Sequence, residues 1–516
     1  MLLHGIAWSQ VAAPPAAPTF TIQRFNVDGN SLLPQDVVDR LVAPHVGTGK
    51  DFGSVQQALE ALQAEYEARG YTAVRVLVPE QELRTGQVRL QVIEARIRAV
   101  KLDGNKFNDQ DNIRASLPAL REGQPPNSLE IARNIQLVNE NPNKQASIAL
   151  EAADEPGKVD VVVKVTDSDP SRVTMFLDNS GNSSTGYHRV GVGYVNSNVA
   201  NRDNVFTAQF ITTPDNAKNV SIYGLGYRMP LYSLNAAVDL VAGHSNANSG
   251  VVQNLFTVSG SGSIFGARYT QILPKLDSYE HKLALGYDYR SFRSNVTLVG
   301  GGNNLVPEVE TKPVSITYSG RYSPIGHDLS GFIGFSQNLP GGTDGGQTAF
   351  NSQRAGARSA YNVWRYGGGY TRLLEGDWLL RAALNGQYSR DKLISGEQFG
   401  MGGADSVRGF LEREAANDIG HRVSVEAYTP DWGSELVPRF GGSWRARALA
   451  FMDMAHGYDN LAARGANNGL LSTGIGLRLN EGKNIALRMD LAKVRNETGT
   501  REPGSWRMNF SASYSF

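Results

Sequence analysis

The chain has 516 residues, enough for several domains of ordinary size. Its 50 lysines and arginines balance 50 aspartates and glutamates, so net charge gives no attraction to nucleic acid, and the absence of cysteine excludes disulfides and thiolate metal sites. No run of 18 or more apolar residues occurs, which excludes a helical membrane span but leaves open a barrel of alternating strands.

The first 18 residues, MLLHGIAWSQVAAPPAAP, are interpreted as a leader. Val11 and Ala13 have the spacing of small residues before an export-signal cleavage site. The apolar part is short and lacks a basic start. Residues 1–18 are therefore either a truncated export signal, which we favour, or a disordered leader.

Residues 19–98 combine strand and helix patterns. FTIQRFNVDGN predicts a strand that ends in an Asp-Gly turn, and SVQQALEALQAEYEARG predicts a helix from its apolar spacing. Ser54 and Gln57 are spaced as a capping box at its start, and Gly70 is expected to end it. The strands TAVRVLVPE and QVRLQVIEA then complete a small α/β module.

This module is repeated. VDGN at 27–30 recurs as LDGN at 102–105, and Asn127 and Glu130 form the cap pair of another helix. KVDVVVKV then closes the second copy as a strand. The repeat predicts two tandem modules of strand, helix, helix, strand and strand, the second at 99–170.

From residue 171 onward the sequence alternates with a period of two, as strands do. In HKLALGYDYR, NIALRMDLA and the final RMNFSASYSF, apolar residues take one face and small or charged residues the other. A soluble sandwich would also alternate. Charges recurring on the polar face, aromatic residues near the strand ends and an aromatic last residue favour a transmembrane β-barrel. Residues 171–516 provide about 16 strands at roughly 21–22 residues each.

Four stretches carry a resemblance to a known family: GYTAVRVLVPEQELRTGQVRLQVIEARI (70–97), NENPNKQ (139–145), LDNSGNSSTGYHRVGVGY (177–194) and EQFGMGGADSVRGFLERE (397–414). Together with the tandem modules, they resemble the TpsB-type outer-membrane transporters of two-partner secretion, the haemolysin secretion/activation proteins (ShlB/FhaC/HecB-like). The resemblance implies two α+β POTRA domains followed by an antiparallel barrel of about 16 strands. It covers nearly the whole chain.

The resemblance also implies that a loop at about 397–420 folds into the barrel lumen. The motif of this inward-folded loop would comprise Val407, Arg408, Gly409 and Phe410. In the family its arginine meets an acidic residue in a Phe-x-Asp-x-Gly motif. FMDMA supplies Asp453 as the expected partner of Arg408, although Ala455 stands where glycine is usual, and Glu426 is a second candidate. Without the resemblance, Arg408 would be an ordinary solvated loop residue.

The implied function is a pore in the outer membrane of a Gram-negative bacterium. Its POTRA domains would lie in the periplasm and bind a large unfolded exoprotein of the TpsA type. Further expected partners are outer-membrane lipid and the barrel-assembly machinery, for which Tyr514 and Phe516 would form a C-terminal signal. We expect no nucleic-acid partner.

Three other functions are alternatives. A factor that inserts other outer-membrane proteins is the nearest alternative, and a solute porin is less consistent with periplasmic modules. An enzyme is disfavoured because the eight histidines form no His-x-x-x-His pair and the serines form no nucleophile elbow. We therefore expect no catalytic residue, no metal site and no cofactor.

Overall fold

The computed structural model describes residues 19–82, 85–182, 186–215, 220–246, 248–252, 256–259, 261–293, 308–460, 467–496 and 501–516. The leader at 1–18 lies outside these residues. The chain divides into two compact units. One comprises the residues up to Asp103 together with Ala119–Ala132 and Ser147–Lys164, and the other comprises Gly104–Pro118, Arg133–Ala146 and Val165–Phe516.

The first α/β module has the elements β1 (Phe20–Ile22), β2 (Arg24–Asp28), α1 (Gln35–Val42), β3 (Gly47–Lys50), α2 (Phe52–Ala68), β4 (Val74–Leu77) and β5 (Gln87–Glu94). In its three-stranded sheet β2 runs parallel to β5 and β5 is antiparallel to β4, and β1 pairs with β3 in a separate two-stranded sheet. The long helix α2 buries Leu62 and Tyr66 in one core with Val88 and Leu90 of β5. The helical spacing read from the sequence is thereby confirmed.

The predicted start of α2 is wrong by one turn. Asp51, not Ser54, is the N-cap, and its Oδ1 accepts the Ser54 backbone N–H at 2.9 Å. This carboxylate accepts one of the first N–H groups of the helix, and the helix is longer than predicted by Phe52, Gly53 and Ser54. The end is as predicted, since Gly70 follows the helix with φ +90°.

The second module repeats the order of β2, α1, α2, β4 and β5, without counterparts of β1 and β3 among its described residues. Its elements are β6 (Arg96–Asp103), α3 (Gln110–Ser116), α4 (Ser128–Val138), β7 (Lys144–Ala152) and β8 (Lys158–Asp167). Strand β6 runs parallel to β8, which lies beside β7. The predicted cap of α4 is confirmed, because Asn127 Oδ1 accepts the backbone N–H of Glu130 at 3.1 Å.

The repeated Asp-Gly-Asn sequence adopts the same turn in both modules. Gly29 has φ +85° and Gly104 has φ +87°. A Cβ atom would lie 2.3 Å from the Val92 carbonyl oxygen in the first module and 2.4 Å from that of Val165 in the second. Both positions therefore require glycine for its left-handed backbone and for the close approach of a neighbouring strand.

A carboxylate closes each of these turns. Glu94 accepts the backbone N–H of Leu32 at 3.0 Å, and Asp167 accepts those of Phe107 at 2.9 Å and Asn108 at 2.8 Å. Burial acts to raise the pKa of Asp167, but the N–H donors, led by Asn108, outweigh it and hold that pKa below its usual value.

The rest of the chain closes into an antiparallel barrel of 16 strands, as predicted. Its wall strands are β9 (Ser171–Asp178), β10 (Arg189–Val199), β11 (Asn204–Thr212), β12 (Ser221–Leu231), β13 (Ala236–Ser245), β16 (Ser261–Ile272), β17 (Tyr279–Arg293), β18 (Val309–Thr311) with β19 (Pro313–Tyr322), β20 (His327–Asn338), β21 (Asn362–Leu373), β22 (Leu379–Tyr388), β25 (Ile419–Tyr428), β26 (Trp444–Tyr458), β27 (Asn467–Glu481), β28 (Ile485–Val494) and β29 (Trp506–Ser515). Strands β18 and β19 both pair with β17 and count as one position in the wall.

Four short strands and two short helices lie in the connections rather than in the wall. They are β14 (Asn248–Val252), β15 (Phe256–Ser259), α5 (Gln347–Gln353), β23 (Phe399–Met401), β24 (Ala415–Asn417) and α6 (Val437–Phe440). None of the helices among the described residues is long and apolar enough to cross a membrane.

The two faces of the wall follow the predicted alternation. On β29, Met508 and Tyr514 are exposed on the outside, whereas Asn509 is buried. On β28, Met489 is exposed and Asp490 is buried. The apolar face thus points outward, where hydrocarbon replaces water, and the polar face points into the lumen.

Candidate functional site: the lumen loop

The connection between β22 and β25 is a loop, residues 389–418, that carries the Val-Arg-Gly-Phe motif. Its stem is the short ladder of β23 and β24, in which Phe399 pairs with Asn417 and Met401 with Ala415. The tip begins with Gly402 and Gly403, whose φ angles of +98° and +111° turn the chain sharply. We call residues 389–418 the lumen loop.

Arg408 forms a bidentate ion pair with Asp453 of β26. Its Nε lies 2.6 Å from Asp453 Oδ2 and its Nη2 lies 2.7 Å from Oδ1. The Arg408 backbone N–H also donates to Oδ2 at 3.1 Å. Both side chains are almost fully buried, at 3% and 0% exposure. A planar guanidinium is suited to this two-point contact, which fixes orientation as well as distance.

Glu426, the second candidate partner, contacts the same guanidinium. Its Oε1 lies 2.8 Å from Arg408 Nη1, and Asp490 Oδ1 of β28 lies 3.4 Å from that nitrogen. The Phe451 ring centroid lies 3.5 Å from the guanidinium carbon, at the distance of a cation–π contact. One arginine is therefore enclosed by carboxylates from three wall strands and by an aromatic ring.

Sequence reasoning missed Asp490 and Ser424 as members of this site. Ser424 donates its hydroxyl to Asp453 Oδ1 at 2.6 Å and so helps to orient that carboxylate. Asp490 is also held by Arg478 at 2.8 Å and by Arg488 at 2.8 Å. The alternation in the sequence places both residues on the inward faces of their strands. Alternation alone does not show which inward side chains contact one another.

The apolar part of the motif packs beside the ion pair. Val407 and Phe410 are completely buried in a cluster with Met401, Leu470 and Val494. Ala455, which replaces the glycine usual in the family motif, belongs to this cluster with 5% exposure. The Ala455 methyl group therefore fills space in the packing around the lumen loop and does not push the loop away.

Replacing Ala455 by glycine is expected to lower the stability of the barrel slightly, by about 1 kcal/mol, because a buried methyl group is lost. The measurement is the temperature at which the folded form disappears in an SDS gel-shift assay. Ala450→Gly on the same strand is the control, since Ala450 is exposed. A higher unfolding temperature for Ala455→Gly would show that the alanine strains the motif.

Gly409, between Arg408 and Phe410 in the motif, is required by its surroundings. Gly409 has φ +97°. A Cβ atom there would lie 3.3 Å from the Ala492 Cβ and 3.5 Å from Val494 Cγ2 of β28. The left-handed backbone lets Arg408 and Phe410 reach the wall in different directions.

A second buried ion pair holds the base of the lumen loop. Glu397 has a side chain with 1% exposure, and its carboxylate lies 2.9 Å from Arg290 Nη1 and 3.1 Å from Arg365 Nη2. Gln387 donates to the Glu397 backbone carbonyl at 3.0 Å. Glu397 opens the quoted loop sequence, but nothing in that sequence indicates two arginine partners on β17 and β21.

A cavity of about 680 Å³ remains inside the barrel next to the lumen loop. Arg268, Asp288, Asp405 and Arg488 are among its lining residues. Arg268 pairs with Asp288 at 3.0 Å, and Arg488 pairs with Asp405 at 2.6 Å. Paired charges of this kind line a hydrated interior, so the lumen is suited to a polar passage rather than to an apolar ligand.

The C-terminal residues lie at the junction of the last and first strands. Phe516 exchanges backbone hydrogen bonds with Val173 at 2.9 and 3.0 Å. The Tyr514 and Phe516 side chains are exposed on the outer face, at 51% and 59%. Both remain accessible to a protein or lipid outside the barrel.

Comparison with known proteins agrees with this architecture. Residues 157–479 match the family of haemolysin secretion/activation proteins ShlB/FhaC/HecB, and residues 20–95 match the ShlB-type POTRA domain. The outer membrane transporter CdiB of Dickeya dadantii is 24% identical over 459 residues, which cover 86% of this chain and 77% of that protein. The heme/hemopexin transporter protein HuxB of Haemophilus influenzae is 19% identical over 482 residues, covering 90% and 81%.

Solved structures share the fold. The CdiB structure from Escherichia coli superposes with a TM-score of 0.77 at 18% identity, over 98% of this chain and 92% of that one. CdiB from Acinetobacter baumannii gives a TM-score of 0.71 at 15% identity, over 97% and 90%. Because the family match spans more than half of the chain, the chain belongs to the haemolysin secretion/activation protein family ShlB/FhaC/HecB, outer-membrane transporters of two-partner secretion with POTRA domains in the periplasm.

Proposed function

We propose that this transporter takes one large exoprotein, unfolded, from the periplasm and passes it through the barrel past the lumen loop. The supporting observation is the buried contact of Arg408 with Asp453, Glu426 and Asp490, which holds the loop on the inner wall of a closed barrel. A loop fixed there at one point can narrow the passage. It can also be displaced as one piece when that contact breaks.

The two modules are proposed to capture the exoprotein, with 19–98 and 99–170 each acting as a POTRA domain. In the sheets that the structure describes, β4 and β7 stand at an edge. An extended chain can add to such an edge as a further strand and gain affinity from backbone hydrogen bonds. Folding of the exoprotein outside the cell would then give the transport its direction.

Two further partners belong to this proposal. Tyr514 and Phe516 would be recognised by the barrel-assembly machinery when the protein itself is inserted, and the exposed apolar wall would contact outer-membrane lipid. The exposure of both aromatic side chains beside the first strand supports this role.

The test is quantitative proteomics of a strain that lacks this protein. Culture supernatant and outer membrane are compared with the parent and with the deletion strain carrying the gene on a plasmid. Loss of one large secreted or surface protein, restored by the plasmid, is expected and would identify the exoprotein. A broad fall in many outer-membrane proteins would instead support a barrel-assembly factor and contradict the proposal.

A further inference from the structure

The segment NENPNKQ at 139–145 has no role in the lumen loop, although it carries part of the family resemblance. In the structure, residues 139–145 and α3 belong to the same compact unit as the barrel. Each polar side chain of the segment makes a hydrogen bond. Three of these side chains, those of Glu140, Asn141 and Lys144, bond to residues of the barrel, so the segment is built to dock.

The central contact is a buried ion pair. Lys144 Nζ lies 2.6 Å from Asp203 Oδ2, and both side chains are 1% exposed. Lys144 also donates to Asn112 Oδ1 of α3 at 2.8 Å. Burial lowers the pKa of Lys144, and the nearby Asp203 carboxylate acts in the opposite direction. A charged lysine is stable here only while that carboxylate stays in place.

Asp203 lies in the short turn between β10 and β11 and joins several parts of the structure. Besides Lys144, its carboxylate accepts the Tyr232 hydroxyl at 2.6 Å and the Asn112 amide at 3.0 Å. Tyr232 belongs to the next short turn of the barrel, between β12 and β13. One carboxylate therefore links α3, the start of β7 and two turns at the same end of the barrel.

The turn that presents Asp203 has an uncommon backbone. Ala200, Asn201 and Asp203 have φ angles of +56°, +56° and +58°, a region that residues other than glycine seldom occupy. Contacts with the second module support it: Asn112 donates to the Asn201 carbonyl at 3.1 Å, and the Asn201 amide donates to Asp109 Oδ2 at 2.6 Å. Strained backbone that is held by such contacts is typical of functional positions.

Neighbouring residues extend the same contact. Asn141 donates to the Ser197 carbonyl at 2.8 Å, and Glu140 forms ion pairs with Arg228 of β12 and Lys282 of β17. The contact thus reaches three wall strands, β10, β12 and β17. A single flexible attachment would not need charged groups at so many points.

We propose that Lys144 and Asp203 are positioning residues whose buried pair fixes α3 and the segment 139–145 on the short-turn end of the barrel. These parts of the second module thereby stay fixed at the periplasmic entrance of the barrel while a chain is exported. This inference rests on the proposed export function. It adds the requirement that the Lys144–Asp203 pair be intact, which neither the lumen loop nor an open sheet edge implies.

The test uses Lys144→Met and Asp203→Asn in the full-length protein, produced in the strain that secretes the exoprotein. Secreted and periplasmic exoprotein are measured together with the amount of folded transporter in the outer membrane. We expect secretion to fall about tenfold, with the exoprotein accumulating in the periplasm and the transporter level unchanged. The matched control is Lys158→Met, since Lys158 forms an exposed pair with Glu155.

A second readout does not depend on secretion. Limited trypsin digestion of the purified variants in detergent should cut after Lys106 and Arg114, sites that both variants keep, faster than in the wild-type protein and in Lys158→Met. The proposal would be overturned by normal secretion from both variants, by unchanged protection of these two sites, or by failure of the variants to fold into the membrane. If the wild-type protein exports no exoprotein, the proposed function fails, while faster digestion would still demonstrate the docking contact.

Discussion

Replacing Arg408 by alanine is expected to reduce secretion of the exoprotein at least about tenfold and to destabilise the lumen loop by about 3–5 kcal/mol. The reason is that Asp453, which is fully buried, loses its bidentate partner, and Glu426 loses its closest cation. Asp490 is affected less because two other arginines contact it. The measurement is the ratio of secreted exoprotein to folded transporter in the outer membrane.

Two further variants define the cause. Arg408→Lys keeps the charge but not the planar fork, so it should recover only part of the secretion. Arg321→Ala is the matched control, because Arg321 makes a bidentate pair with Asp328 at 2.9 and 2.7 Å with both side chains well exposed. Exposed pairs contribute about 0–1 kcal/mol, so little change is expected. Equal secretion from Arg408→Ala and Arg321→Ala would contradict a role for the buried contact.

Replacing Glu397 by alanine is expected to open the lumen to large solutes. The change removes the carboxylate that pairs with both Arg290 and Arg365. Removing one partner of a buried ion pair destabilises a protein by about 3–5 kcal/mol. The base of the lumen loop should then detach from β17 and β21. The measurement is the sensitivity of cells to vancomycin, which is too large for ordinary porins.

Glu280→Ala is the control for this prediction, since Glu280 makes a partly exposed pair with Lys275. Glu397→Gln should have an intermediate effect, because it keeps the shape and some of the hydrogen bonds but not the charge. Unchanged vancomycin sensitivity in Glu397→Ala, with normal amounts of protein in the outer membrane, would show that the loop base does not close the lumen.

The local features of the fold could be predicted because they depend on neighbours in the chain. Alternation in β28 and β29 indicated which residues face outward, and Gly70 indicated the end of α2. The start of α2 was predicted wrongly because Ser54 and Asp51 are both good caps, and their relative strength depends on backbone geometry.

The candidate site was only partly accessible from the sequence. Arg408, Asp453 and Glu426 were named through the family resemblance, and the structure places them within hydrogen-bond distance. Asp490 and the Arg290–Glu397–Arg365 contact were not found. Their partners lie on strands far apart in the chain, and no local pattern identifies which inward residues meet.

The sequence by itself determined the two repeated modules, the barrel and its two faces, since a period of two, a helical period and a turn glycine are local properties. Apart from the partners of Arg408 that the family resemblance implied, only the tertiary structure decided which charges are paired. It places Asp490 of β28 beside the lumen loop and Lys144 of the segment 139–145 against Asp203. Such pairs depend on strand register and on burial, which removes the water that would otherwise solvate each charge separately.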